Sequence, residues 1–255
     1  MRQMPPAPER AVAAGYGGDF AHAHRQGNSD FARLAAPTVL ANLRAAGIRD
    51  GLVVELGCGT GILAAELLAA GYRVVGVDLS ADMVSLARQT APEASFVVAS
   101  FLDVDLPDCA AVVSVGQSLG YAIDPRNSRD ELTRLFGRAR DAVRPGGLLL
   151  FDLNAPPPCS ADDGPHEYVE HRETPDWTML VTSCVDGPVL TRKLTLFRRI
   201  GGWHRRSDEQ HVVLLHEPAT VLAGLAAAGF TATTYHDYDG SPFPPDLVGY
   251  RAFRP

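Results

Sequence analysis

Short apolar runs alternate with amphipathic ones between residues 52 and 152, and this alternation most constrains what the chain can fold into. Leu52-Val53-Val54-Glu55-Leu56 is a brief apolar run ending in glycines, as a strand buried on both faces of a parallel sheet requires. Ile62 to Ala70 reads as a helix stopped by Gly71, and Tyr72 to Val77 as a second strand. Ser80 is a good N-cap for a helix through Arg88. Ser95–Ala99 and Ala110–Val115 form the third and fourth strands. Arg129 to Val143 reads as a helix closed by Pro145-Gly146-Gly147, and Leu148–Asp152 is the fifth strand. Upstream, Phe31, Leu34, Ala35, Val39, Leu40 and Leu43 recur at helical spacing and end at Gly47. Strand and helix in alternation predict an α/β fold, a doubly wound and mostly parallel sheet.

The pattern then changes. Trp177–Val185, Val189–Ile200 and Trp203–Leu215 read as three strands joined at Asp186-Gly187 and Gly201-Gly202, both hairpin signals. No helical segment interrupts them, so residues 165–215 are expected to form an antiparallel β insert after strand five. A helix (Glu217–Ala228) and strands at Phe230–His236 and Leu247–Phe253 follow and bring the sheet to seven strands. Residues 1–14, with Pro5, Pro6 and Pro8, read as a flexible tail, and 15–255 as a single domain.

Composition narrows the chemistry. Among 255 residues, 30 acids outweigh 23 basic residues, a net charge of −7, which argues against nucleic acid or an anionic membrane as partner. Lys193 is the only lysine and no Gly-Lys-Ser/Thr step occurs, which removes a Walker-type phosphate loop. Cys58, Cys109, Cys159 and Cys184 show no metal spacing and read as reduced thiols, so no metal is expected. No run is long enough to span a membrane, and the first residues lack a signal peptide's apolar core; a cytoplasmic location is expected.

The informative stretch is Val53-Val54-Glu55-Leu56-Gly57-Cys58-Gly59-Thr60-Gly61. Alternate glycines at a strand-to-helix turn allow a sharp bend and a close approach of ligand to main chain. Asp78 ends the second strand, 17 residues beyond Gly61, where an acid can accept both hydroxyls of a ribose. A dinucleotide turn reads Gly-x-Gly-x-x-Gly and faces a pyrophosphate. Here the spacing is Gly-x-Gly-x-Gly and Glu55 stands beside it, a carboxylate that would repel pyrophosphate but tolerate a sulfonium and an amine. Electrostatics thus favours S-adenosylmethionine over NAD.

This segment resembles motif I of the class I S-adenosylmethionine-dependent methyltransferases, and further family motifs follow in order. They are Val77-Asp78-Leu79-Ser80 with Met83 and Ala87-Arg88, then Ser100-Phe101, Ser114 to Tyr121, and Arg144-Pro145-Gly146-Gly147. The resemblance implies the Rossmann-like fold of that family, with S-adenosyl-L-methionine as cofactor and S-adenosyl-L-homocysteine as product. It implies that Gly57, Cys58 and Gly59 approach the methionine part and that Glu55 reaches its amino group. Asp78 would hold the ribose, Leu79 and Met83 would sandwich the adenine, and Ser100 and Phe101 would read its edge. Many members have Asp where this chain has Ser100; a serine can still accept the adenine amine. The segment Tyr16-Gly17-Gly18-Asp19-Phe20 resembles the family's flap over the cofactor, with Tyr16 near the methionine carboxylate.

Substrate groups are expected outside the carboxyl ends of the strands. Gln117, after strand four, is placed with the cofactor; Ser118, Tyr121, Asn154 and Phe20 are placed with a small-molecule substrate. On the insert's third strand, Trp203, Arg205, Glu209, His211 and Val213 share one face. Trp203 and Arg205 are candidate substrate contacts, and His211, oriented by Glu209, is the candidate general base. A polar sheet face with an ordinary salt bridge is the alternative for that pair. His22, His24, His204 and His236 read as surface residues, while His166, His171 and His216 have no assigned place. The insert suits a lid or a homodimer contact. The expected activity is methyl transfer to an N, O or C nucleophile of a small molecule, in the manner of bacterial secondary metabolism. A cofactor-binding protein or cyclase without methyl transfer, and an NAD-linked oxidoreductase, are the alternatives.

Overall fold

A computed structural model describes residues 16–27, 29–157 and 166–255. The 1–14 tail, Cys159 and the first residue of the expected insert lie outside these. In chain order the elements begin with helices α1 (Gly18–Gly27) and α2 (Ser29–Ala45), strand β1 (Leu52–Leu56) and helix α3 (Ile62–Ala69). They continue with β2 (Arg73–Asp78), α4 (Ala81–Thr90), β3 (Ser95–Val98), β4 (Cys109–Ser114), α5 (Arg129–Ala142) and β5 (Val143–Asn154). The insert supplies β6 (His166–Glu173), β7 (Trp177–Asp186), β8 (Val189–Ile200) and β9 (Trp203–Leu214). The chain then forms α6 (Pro218–Ala227), β10 (Thr231–Tyr235), the two-residue β11 (Asp237–Tyr238) and β12 (Ser241–Pro242), and β13 (Leu247–Phe253).

Seven strands form one sheet in the order β10-β13-β5-β4-β1-β2-β3, and β13 alone runs against its neighbours. Valines at 53 and 54 are fully buried because β1 is central and helices cover both faces. On one face α2, α3 and α4 pack Val39, Leu43, Leu63, Leu67 and Val84 against Val53 and Val113. On the other, α5 and α6 pack Leu135, Phe136 and Leu225 against Phe151 and Tyr250, whose rings stack at 5.0 Å. Serine caps start two helices: Ser80 Oγ accepts the Met83 N–H and Ser128 Oγ accepts the Glu131 N–H, both at 3.2 Å. Chain order reverses between β1 and β4, so their carboxyl ends open a crevice between diverging loops.

The insert is a separate antiparallel sheet in the order β6-β7-β8-β9. It has one strand more than the hydropathy pattern predicts. β6 reads His166-Glu167-Tyr168-Val169-Glu170-His171-Arg172-Glu173; as an edge strand it needs no buried face along its outer side, so its charge hides it. The insert is bound to the crevice by an antiparallel bridge between Tyr121 and Val213 and by Ala122 N–H to Val212 O at 2.8 Å. Among the described residues, no helix is long and apolar enough to cross a membrane and no metal-binding cluster occurs.

Candidate active site

The glycine turn is built by its backbone. Gly57, Gly59 and Gly61 all take positive φ, the region that favours residues without a Cβ. Gly57 and Cys58 both donate to Val77 O, at 2.7 and 3.0 Å, which ties the turn to β2. A Cβ on Gly57 would stand 2.3 Å from that of Ser118, and one on Gly61 2.9 Å from Ala87 Cα. Glycine is therefore required at both for close packing. Next to the turn, Asp78 Oδ2 accepts the Gly59 N–H and Oδ1 the Ser80 N–H, each at 2.9 Å. Burial raises the Asp78 carboxyl, while those N–H groups oppose the rise. The acid at the end of β2 is thus fixed in place with acceptor capacity to spare.

Glu55 lies beneath the turn, only 2% exposed, and its Oε2 has no partner. Burial, then the nearby Asp78 carboxylate, holds its carboxyl well above the usual range. The Ala64 N–H serves this carboxyl, while Oε2 remains a buried acceptor that a donor such as an ammonium group could satisfy. Cys58 is buried and its thiol is pushed up by burial and by Glu55, which makes it an inert wall.

A cavity of about 570 Å³ runs from this turn to the inner face of the insert. Tyr16, Glu55, Gly57, Cys58, Gly59, Asp78, Leu79, Met83, Ser100, Phe101 and Gln117 all border it, so every position assigned to the cofactor converges there. Leu79 is 41% exposed and offers an uncovered apolar side chain, whereas Met83 is buried with its helix yet still forms wall. Of the substrate candidates, Phe20, Ser118, Tyr121 and Asn154 border the cavity.

Trp203 and Arg205 do not. They share the inner face of β9, but the β8–β9 hairpin extends beyond the body of the fold and leaves Trp203 83% exposed. Arg205 instead grips Asp19 on α1, with Nε 2.6 Å from Oδ2. Arg198 and Ser207 hold the same carboxylate at 3.0 and 2.8 Å, which draws the Asp19 carboxyl down to about 2 despite its burial. The alternation places both residues on the correct face and at the wrong distance along it.

Of the Glu209–His211 pair, His211 borders the cavity and Glu209 is buried behind it. His211 Nε2 lies 2.8 Å from Glu209 Oε2, and Glu209 Oε1 accepts the Gly17 N–H at 2.7 Å. With Nε2–H donated to the carboxylate, Nδ1 is left as the acceptor. Tyr16 packs on the His211 ring at 4.8 Å and on His24 at 5.4 Å, and its carbonyl accepts the Ser80 hydroxyl at 2.9 Å. Its phenol is pushed well above its usual range by burial, so it stays neutral.

Several cavity residues escape sequence reasoning. His24, expected at the surface, borders the cavity with an unpartnered Nδ1, and burial lowers its ring to about 4. It follows Phe20 by one helical turn in α1, a spacing that places both on one face. Asp124 stands beside Ser100, accepts its hydroxyl and restores an acid to the wall where the sequence has a serine. Arg126 holds Asp124 through Nε at 3.0 Å and keeps its carboxyl low. Asp152, at the end of β5, accepts the Gly116 N–H at 3.0 Å and the Gln117 N–H, and holds Gln117 in its left-handed conformation. Arg192 enters from β8, and Trp177, Met179 and Val181 from β7. His216 is buried near Asn154, its N–H bonded to the Asn154 carbonyl at 2.9 Å. His204 and His236 are exposed, as expected; His171 is exposed as well.

Comparison with known proteins follows the same line. Residues 53–147 match the family model described as a methyltransferase domain. A provisionally named methyltransferase of Geobacillus sp. (strain WCH70) is 28% identical over 191 residues, covering 70% of this chain and 73% of that protein. A malonyl-[acyl-carrier protein] O-methyltransferase of Enterobacter lignolyticus is 30% identical, with 58% of this chain and 55% of that protein aligned. The S-adenosylmethionine-dependent methyltransferase structure from Clostridium acetobutylicum superposes with a TM-score of 0.77 at 17% identity, over 92% of this chain and 97% of that one. The sugar N-methyltransferase from Streptoalloteichus sp. superposes at 0.75 with 21% identity, over 99% and 100%. At such identities the structures share the fold.

Proposed function

Because the chain is a class I S-adenosylmethionine-dependent methyltransferase, we propose that it methylates a nitrogen, oxygen or carbon nucleophile of a small molecule held under the β insert, in bacterial secondary metabolism. One observation carries this reading: the cavity is continuous from the glycine turn to the Glu209–His211 pair. Cofactor and acceptor sites would therefore share one continuous space. S-adenosylmethionine, when bound, supplies a methyl group on a positively charged sulfur. Asp78 would hold the ribose hydroxyls, and Ser100 with Asp124 would meet the adenine amine. Glu55, whose carboxyl burial holds above its usual range, would meet the ammonium.

Methyl transfer needs an in-line approach more than acid–base assistance, so positioning is the main task of the protein. Tyr16, Phe20 and the inner face of β7 keep water out. Where the acceptor carries a proton, His211 Nδ1 takes it, and Glu209 keeps the ring in the productive tautomer. Solved structures that share the fold include a sugar N-methyltransferase and an amino pentose methyltransferase, and that company supports a small acceptor.

Thermal-shift titration with S-adenosylhomocysteine and NAD tests the cofactor assignment; stabilisation by NAD and none by S-adenosylhomocysteine would sink it. Methyl transfer is then read by mass spectrometry across panels of amines, phenols and acidic carbon compounds. His211→Asn is expected to lower turnover of a protonated acceptor about 10²-fold or more, with cofactor affinity unchanged. Equal turnover by the variant would return the pair to a structural role.

A further inference from the structure

Arg192 is a cation in the cavity wall whose only hydrogen-bond acceptors among the described residues are neutral. Its guanidinium meets Tyr121 Oη at 3.0 Å and Gln117 Oε1 at 3.5 Å from two nitrogens. No acid forms an ion pair with it among the described residues. The nearby acids of the insert are already engaged: Glu209 by Gly17 and His211, and Glu170 by Arg172 at 3.7 Å. A guanidinium has five N–H donors and cannot shed its charge. Its three bonds go to two neutral oxygens, so no acid among the described residues compensates its charge.

Its surroundings repeat the same chemistry. Strand register puts Tyr168, Ser183, Arg192 and His211 in one row across β6, β7, β8 and β9, and all four border the cavity. Tyr16 and Tyr121 add two more hydroxyls beside it. On β8 the same face carries Leu190, Leu194 and Leu196 and then Arg198, which is paired with Asp19; Arg192 stands among the leucines.

We propose that Arg192, with the hydroxyls of Tyr121, Ser183 and Tyr168, is a receptor for an anionic group of the acceptor, a carboxylate or phosphate carried beside the methylated atom. The inference rests on the methyltransferase reading and names the substrate class for it. Two sources could supply such an anion, because the cofactor has a carboxylate of its own. His24, whose Cε1 lies 3.9 Å from where a Cβ on Gly59 would be and whose Nδ1 is unpartnered, stands at the turn, whereas Tyr16 and Gln117 adjoin the Arg192 cluster, so the test below separates the two sources. Arg192 belongs to the insert, and its row leads away from the turn toward the edge strand. An Arg–carboxylate or Arg–phosphate pair is strong and geometrically selective, which suits the recognition of one acceptor among many.

The test uses the full chain saturated with S-adenosylhomocysteine, and inorganic pyrophosphate and acetate as probes, followed by calorimetric titration. Pyrophosphate is expected to bind the wild-type complex and to bind Arg192→Gln at least tenfold more weakly, while both proteins bind S-adenosylhomocysteine within twofold. Arg192→Lys, which keeps the charge and loses the fork, is expected to fall between them and stands in if the glutamine variant does not fold. Equal pyrophosphate affinity across the variants would overturn the proposal. So would a tenfold loss of S-adenosylhomocysteine affinity in Arg192→Gln with 5′-methylthioadenosine binding unchanged, since the anion would then be the cofactor's. Failure of wild type to bind S-adenosylhomocysteine at all would strike the methyltransferase reading instead, and pyrophosphate titration of the free protein would still report on Arg192.

Discussion

Asp78 joins an architectural task to the ribose-binding role proposed for it. Its two oxygens anchor the glycine turn and the start of α4 through backbone N–H groups, and they also face the cavity. Asp78→Ala is expected to weaken S-adenosylhomocysteine binding through the loss of charge-assisted bonds worth roughly 1.5–3 kcal/mol each. Titration calorimetry reads this directly, and unchanged affinity would mean that another acid holds the ribose. Positions such as Glu55, Gly57 and Asp78 were legible as one group because adjacent parallel strands, β1 and β2, bring their carboxyl ends together although Asp78 lies 23 positions after Glu55. Arg205 was not, because alternation reports a face and is silent on distance; its partner Asp19 lies 186 positions away in sequence. His24 was misread for a related reason: α1 becomes a wall only once the insert has closed over it.

At the scale of elements, the turn after β1 and the loop after β4 must touch for the crevice to form. Gly57 makes that contact possible, with Ser118 against it and φ at 71°. Gly57→Ala is expected to lower the melting temperature sharply and to abolish cofactor binding. Adding Ser118→Gly removes the Cβ clash and should recover most of the stability, leaving about 1–2 kcal/mol of left-handed backbone strain. No recovery in the double variant would locate the fault elsewhere. The parallel strands were legible because a buried central strand must be apolar on both faces. β6 was not, because an edge strand of alternating charge looks like a loop until a neighbour pairs with it. The end of β5 was legible as a strand, yet nothing in its sequence tells that Asp152 will organise the loop after β4.

Across the whole molecule, buried ionisable groups set a pH dependence. His216 is 4% exposed and its ring is lowered to about 4 by burial, with Arg129 adding to the effect. The unfolded chain binds this proton below its usual value near 6.5, the folded chain only near 4. Stability from this group is therefore complete above about pH 6.5 and lost progressively down to about pH 4, on the order of 3 kcal/mol in all. Asp152, raised to about 6 by burial, acts with the opposite sign. The folded state binds its proton first, so its share of stability falls as pH rises from about 4 to 6. Chemical denaturation from pH 4.5 to 7.5 separates the two, and His216→Gln should flatten the acid-side loss; an unchanged slope would acquit this histidine. The doubly wound, mostly parallel character of the main sheet was foreseeable from alternating elements, whereas the joint between α1 and the insert depends on ion pairs between distant segments.

That joint has a kinetic consequence. Gly17 bonds Glu209, Asp19 is clasped by Arg198 and Arg205, Gln26 meets Trp177, and Phe20 sits among Trp177, Met179 and Leu196. These bonds join α1 to the insert as one covering, and in the proposed function the acceptor lies between that covering and the cofactor. Such an arrangement imposes a sequence on traffic: the sulfonium compound enters first and its demethylated product leaves last. Steady-state measurements should then show S-adenosylhomocysteine competing with S-adenosylmethionine and inhibiting noncompetitively against the acceptor, whereas random-order patterns would mean that α1 and the insert part independently.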